Sequence, residues 1–205
     1  MKRITLVVFG WPLLLAAAQA ATNAPPTWPG DHVFIPNTKI DPSSSLKLGS
    51  MEVEFEKTTL KMVSSAIGRG QLSSQGDASE SVTWLCYTIN AEKSVQRLWL
   101  TSGEMGGGNY IDGASVTYLS PTEKSTVDCP ELPQEFLPIR FGNGLWLGTA
   151  GTKIQTVMGM PKINQDVWSY SYAGVKGKYD VTVSLVLKVI DGIVSEIHFN
   201  HITSD

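Results

Sequence analysis

The stretch VTVSLVLKVIDGIVSEIHF, Val181 to Phe199, decides the fold. Asp191-Gly192 sits between two apolar runs that alternate with period two, the strongest short-range signal for a β-hairpin. In the first run Val181, Val183, Leu185, Leu187 and Val189 share one face and belong to a core, while Ser184, Val186 and Lys188 face the other way. In the second run Ile193, Ile197 and Phe199 are expected on the core face, with Glu196 and His198 pointing away. A second Ile-Asp-Gly, Ile111 to Gly113, precedes another strand-like run, ASVTYLS. Asp112 and Asp191 therefore read as turn formers rather than catalytic carboxylates.

Working outward from these turns, the chain repeats itself. LKLG (46–49) leads to FEKTTLKMVSSAIG (55–68), where Phe55, Thr59, Met62, Val63 and Ile67 fall at helical spacing and Gly68 is a natural C-cap. VTWLCYTI (82–89), VQRLWLTS (95–102) and the run after Gly113 read as three strands. LWLG (145–148) then leads to TKIQTVMGMP (152–161), a helix stopped by Gly159 and Pro161, followed by VWSYSYAG (167–174) and the hairpin 181–199. Gly49 aligns with Gly148, Gly68 with Gly159, Trp84 with Trp168, Leu98 with Leu185, and Asp112-Gly113 with Asp191-Gly192. The pattern predicts an α+β fold: two tandem helix-plus-three-strand units with antiparallel sheet and helices packed on one face. Expected divisions are a signal peptide (1–20), a Pro-rich N-terminal arm (21–45), a first unit (46–120), a Pro-rich linker (121–144) and a second unit (145–205).

The order L-x-L-G, short helix, Gly, Trp/Tyr strand, apolar strand, Asp-Gly, strand resembles the small exported module of the outer-membrane lipoproteins that assist barrel assembly (the BamE/OmlA type). It is also similar to the tandem modules of the secreted beta-lactamase-inhibitor protein. The likeness covers residues 46–119 and 145–199. It implies helices on an antiparallel sheet and a protein-binding role, and it carries over neither a partner nor contact residues.

The N-terminus has the shape of an export signal. Lys2 and Arg3 precede an apolar run from Ile4 to Ala18, and Ala18-Gln19-Ala20 suits cleavage after Ala20. No other segment is apolar enough to span a bilayer, so a periplasmic or secreted location is expected. Losing Lys2 and Arg3 takes the formal charge from −3 to −5, which with scattered basic residues argues against a nucleic-acid partner. Two cysteines in an exported chain most simply form one disulfide, Cys86–Cys129. Closing a loop of about 43 residues contributes about 4 kcal/mol in the chain-entropy model.

No motif points to catalysis. There is no G-x-S-x-G elbow and no S-x-x-K, and no cofactor is expected. The glycine-rich stretch GEMGGGNY (103–110) lacks the ending of a phosphate loop and reads as a flexible hairpin loop able to contact a partner. Glu52, Glu54 and Glu56 alternate with apolar residues and read as a solvated edge or helix start. Glu196, His198 and His201 contain the elements of a cation site, yet without an H-E-x-x-H or a Cys/His cluster they read as a solvated strand face and a polar tail.

The aromatic residues point instead to binding. Beyond the signal lie Trp28, Trp84, Trp99, Trp146 and Trp168. Gln96, Leu98 and Leu100 take the core face of their strand, so Arg97, Trp99 and Thr101 point away from the helices. Trp168, Tyr170 and Tyr172 share a face that parity alone leaves undetermined. One sheet surface is thus expected to display Arg97, Trp99, Lys188, Glu196 and His198, joined by Tyr170 and Tyr172; the alternative for Trp99 is packing under the linker or arm. Trp, Tyr and Arg dominate binding energy at interfaces. The expectation is an exported, non-catalytic protein-binding module, an inhibitor or immunity-type protein that occludes an enzyme or toxin. An envelope-assembly accessory protein is the alternative, with a small hydrolase or metal-binding protein behind it.

Overall fold

The computed structural model describes residues 23–29, 34–77, 81–103, 107 and 109–204. The expected signal peptide, and residues 104–106 and 108 of the glycine-rich loop, lie outside the described residues.

The elements in chain order are β1 (Ser45–Leu48), β2 (Met51–Glu54), α1 (Leu60–Ile67), β3 (Ser73–Gln75), β4 (Val82–Ala91), β5 (Ser94–Gly103), β6 (Gly113–Leu119), β7 (Ile139–Phe141), α2 (Gly151–Met158), β8 (Lys162–Asn164), β9 (Val167–Lys176), β10 (Tyr179–Ile190) and β11 (Ile193–Ser204). Strands β3-β4-β5-β6-β11-β10-β9-β8 form one sheet of eight, and β2-β1-β7 form a second sheet of three. Every pairing between these strands is antiparallel.

This corrects the expected architecture of two helix-plus-three-strand units. The molecule is mostly β, 48% strand against 11% helix. Each half of the chain adds a short fourth strand, β3 or β8, to one continuous sheet. The L-x-L-G landmarks also diverge. Leu46–Leu48 is strand β1, turning at Gly49, whereas Leu145–Gly148 forms no strand. Gly49 has φ +59°, and a Cβ there would lie 2.4 Å from the Glu135 carbonyl oxygen, so only glycine fits that turn.

Local chemistry explains the helices. The Thr59 hydroxyl caps α1 by accepting from the Met62 N–H, and Gly68 closes it at φ 72°. Gly159 ends α2. Residues 55–58, read from spacing as the first turn of the first helix, instead follow β2 as a turn.

The Asp191-Gly192 turn is a two-residue hairpin with φ 51° and 76°, as its sequence dictates. Asp112-Gly113 is not its counterpart. Gly113 begins β6, and buried Asp112 accepts a hydrogen bond from the Gly103 N–H at 2.8 Å. Asp112 thus brackets the ends of a long connection and does not form a tight turn. Between Lys188 and Val189 the β10–β11 register shifts by a bulge, with Ser195 left over. The shift turns Ile193 outward and puts Val194 in the core, against the parity expected for Ile193.

The main core lies on the sheet face covered by α1, α2 and the small sheet. Leu98, Leu100, Val183, Leu185, Leu187 and Ile197 line it from below. Phe199 from β11 meets Phe55 at 4.5 Å and Phe141 at 5.3 Å between ring centroids, joining the small sheet to the large one.

Candidate functional site

The opposite face carries most of the residues expected at a binding surface, and it is covered. Residues 23–29 lie against it: the Asn23 carbonyl accepts from the Trp99 indole N–H at 2.9 Å, and Trp28 lies 6.0 Å from the His198 ring; at the outer edge of β9 the Asn37 backbone N–H donates to the Ser171 carbonyl at 2.8 Å. The linker covers β4 and β5 from the same side. The disulfide Cys86–Cys129 pins it there, with a Cα separation of 4.6 Å. Past the bridge it runs along the outer edge of β4, where Thr88 donates its N–H to Pro130 and accepts from the Leu132 N–H.

Trp99 is consequently 4% exposed, packed with Trp84 and the disulfide in a second, small core. The expectation of a displayed Trp99 is corrected: strand parity identified its face, but the linker and the 23–29 segment enclose it. Arg97 is also buried. Its guanidinium donates to the Lys124 carbonyl at 3.4 Å and lies 3.7 Å from the Glu123 carboxylate. Burial lowers its pKa, and the Glu123 charge opposes that shift. Tyr170 and Tyr172 belong to the helix side of the sheet and do not join this set. Tyr170 is fully buried, donates to the Gly159 carbonyl at 3.1 Å, and has its phenol pushed up to about 12 by burial.

Lys188, Glu196 and His198 do come together. Lys188 Nζ lies 3.2 Å from Glu196 Oε1, across the β10–β11 pair. His198 is 0% exposed; its Nε2 is 3.6 Å from Glu196 Oε2 and its Nδ1 is 3.3 Å from Ser115 Oγ. The adjacent His198 imidazole, then Lys188, lowers the Glu196 pKa against the opposing effect of burial. His198 is therefore not on a solvated strand face, as its sequence context suggested. Sequence reasoning also missed Ser115. It stands directly opposite His198 in the β6–β11 pair, which joins the two halves of the large sheet. Serine, histidine and glutamate have the composition of a nucleophile relay. Here the imidazole is sealed, and its distance to the carboxylate exceeds hydrogen-bond range. The arrangement is that of a polar clamp across the seam.

His201 lies on the opposite, core side of β11 and is also buried. Its Nδ1 is 3.0 Å from Glu56 Oε2, and Glu56 accepts the Thr203 backbone N–H at 2.6 Å. Glu56 has φ 61°, an uncommon conformation for a residue with a side chain. The expected solvated role of Glu56 and the polar-tail reading of His201 are thus corrected; together they fasten β11 to the turn after β2. His198 and His201 share no site. Among the described residues no group of three or more His, Cys, Asp or Glu is placed to hold a metal ion.

One exposed apolar surface lies along the β8–β9 edge of the sheet. Met160 and Ile163 precede and occupy β8, Val175 lies on β9 with 72% exposure, and Ile35 precedes the Asn37–Ser171 bond. Strand β8 pairs with Val167–Ser169, and Asn37 meets the same edge at Ser169 and Ser171. Among the described residues the outer backbone of Ala173–Lys176 has no hydrogen-bond partner. The strand-like pattern of VWSYSYAG signalled a strand, but nothing in it marks which strand lies at an edge.

No family model matches the chain, and neither a curated protein nor a solved structure matches it. The fold defines a mostly β, disulfide-bridged protein, and the bridge is compatible with an oxidising, exported location. Among the described residues no helix is long and apolar enough to cross a membrane.

Proposed function

We propose that this is an exported, non-catalytic protein-binding module that captures its partner at the β8–β9 edge of the large sheet. The observation that carries the reading is the coincidence of an uncovered strand edge at Ala173–Lys176 with the exposed apolar side chains Met160, Ile163 and Val175. An unpaired edge is a template for an extended segment of another chain: main-chain hydrogen bonds supply affinity and alternate side chains supply selectivity. Lys162 and Lys176 flank the edge and discourage indiscriminate pairing. A rigid receiving edge suits an inhibitor or immunity-type role, because little conformational freedom is lost on binding.

The test is site-specific photocrosslinking in envelope and culture fractions of the producing cell. A photoreactive residue at Val175 is expected to trap one discrete partner, and the same residue at exposed Met62 on α1 is expected to trap none. Val175→Lys together with Ile163→Lys abolishes capture while circular dichroism stays unchanged. Equal crosslinking from both positions, or capture that survives the double substitution, overturns the reading.

A further inference from the structure

A cavity of about 550 Å³ opens where the end of the β4–β5 hairpin, β7 and the start of α2 meet. None of its lining residues belongs to β8 or β9. Its walls combine three kinds of surface. Trp146 presents a half-buried indole whose N–H is fixed by donating to Gln96 Oε1 at 3.0 Å. Ile89, Leu137 and Pro138 make the wall apolar. Arg140 and Lys153 supply two positive charges, and among the described residues no carboxylate lines the cavity.

Neither cation has an ion pair or a side-chain hydrogen bond among the described residues. Arg140 moreover stands directly opposite Lys47 in the β1–β7 pair. Like charges placed directly across a ladder destabilise it; Glu52 stands opposite Lys47 on its other side and accepts from Ser45. In a chain with net charge −3 this is a local excess of positive charge facing a concave, aromatic-walled space. Such spaces, largely apolar with a few convergent polar groups, are where small ligands bind. A guanidinium presents a planar fork matched to a carboxylate or phosphate, and lysine adds a point charge.

We propose that this cavity binds a small anion with a flat apolar body, an aryl carboxylate or aryl phosphate, its charged group between Arg140 and Lys153 and its body against Trp146. Two-dimensional NMR titration of the mature protein tests it, with benzoate and phenyl phosphate as probes. Expected are saturable shifts of the Trp146 indole N–H and of the Thr149 and Ala150 amides with at least one probe. Arg140→Gln and Lys153→Met each weaken binding about tenfold, as expected for loss of one charged contact. Lys188→Met, remote from the cavity, leaves binding unchanged. The stronger probe identifies whether the site suits carboxylate or phosphate. Absence of saturable shifts up to about 10 mM, weaker than any useful affinity on the free-energy scale, overturns the proposal. So does equal binding of benzyl alcohol, which removes the anion, or of inorganic phosphate, which removes the aromatic body.

Discussion

The two faces of the eight-stranded sheet are closed by different means. On one side, two short helices and a three-stranded sheet bury a wide set of aliphatic and aromatic side chains. On the other, among the described residues, there is no helix; a covalent bridge, an irregular N-terminal segment and a linker cover two tryptophans and a row of polar residues. The first face is held by area removed from water. The second is held by tethers, with Arg97, Ser115 and His198 buried beneath them. A face without regular elements above it is thus not an open face.

Damage to each face tests the contrast, and the main core comes first. Phe199→Ala removes the ring that Phe55 and Phe141 share, and it is expected to cost about 3–5 kcal/mol. Denaturant unfolding measures it; a loss under about 1 kcal/mol would show that the small sheet contributes little to the core. Trp99→Ala is next, toward the lower end of the same range because its cluster is smaller and bordered by irregular chain. A thermal melt unchanged by this substitution would mean that the linker and the N-terminal segment do not cover the face in solution.

Third is the bridge. Replacing Cys86 and Cys129 together with Ala is expected to cost about 2–4 kcal/mol through the larger freedom of the unfolded chain. Hydrogen exchange should then rise at Thr88 and Leu132, whose bonds tie the linker to β4, and not at Leu185. Uniform acceleration would erase the distinction between tethered and packed faces. Non-reducing mass spectrometry of the wild type should find no free thiol.

The smallest effect concerns the seam. The folded-state pKa of Glu196 lies below its ordinary value, so the unfolded chain binds the proton more readily. The resulting stability is fully present above the ordinary carboxylate range and is lost as pH falls through the lower, folded value. Glu196→Gln should flatten the acid limb of a stability–pH profile, while Lys188→Met, removing the weaker contribution, should flatten it less. Identical profiles for wild type and Glu196→Gln would show that the clamp does not respond to pH.

Much of the sheet was legible because period-two alternation reports strand and face directly. The runs around 82–89, 95–102 and 181–189 all lie within strands, and the Asp191-Gly192 turn falls where its chemistry requires. The paired cysteines were legible from their number alone. Alternation reports parity, however, and not what lies above a face: Trp99 and His198 were assigned to the correct side and to the wrong environment, since their cover comes from segments with no periodicity. The three-residue strands β3, β7 and β8 are too short to show any pattern. A single bulge at Lys188 inverted the parity of Ile193 and Val194. Asp112, identical in its local tripeptide to Asp191, brackets a long connection whose closing contacts are distant in sequence. The β8–β9 edge and the cavity at Arg140 depend on neighbours in space, and local patterns do not encode them.

The order of strands has a consequence for how the chain is made. Strand β11, last of the eight in sequence, lies in the middle of the sheet beside β6. A ribosome emitting the chain releases residues 1–192 before that central place can be filled. Until then the strands of the first half have an exposed margin at β6, and those of the second half cannot join them. Completion therefore waits on the pairing of segments about 80 residues apart, a slow step by the dependence of folding rate on sequence separation.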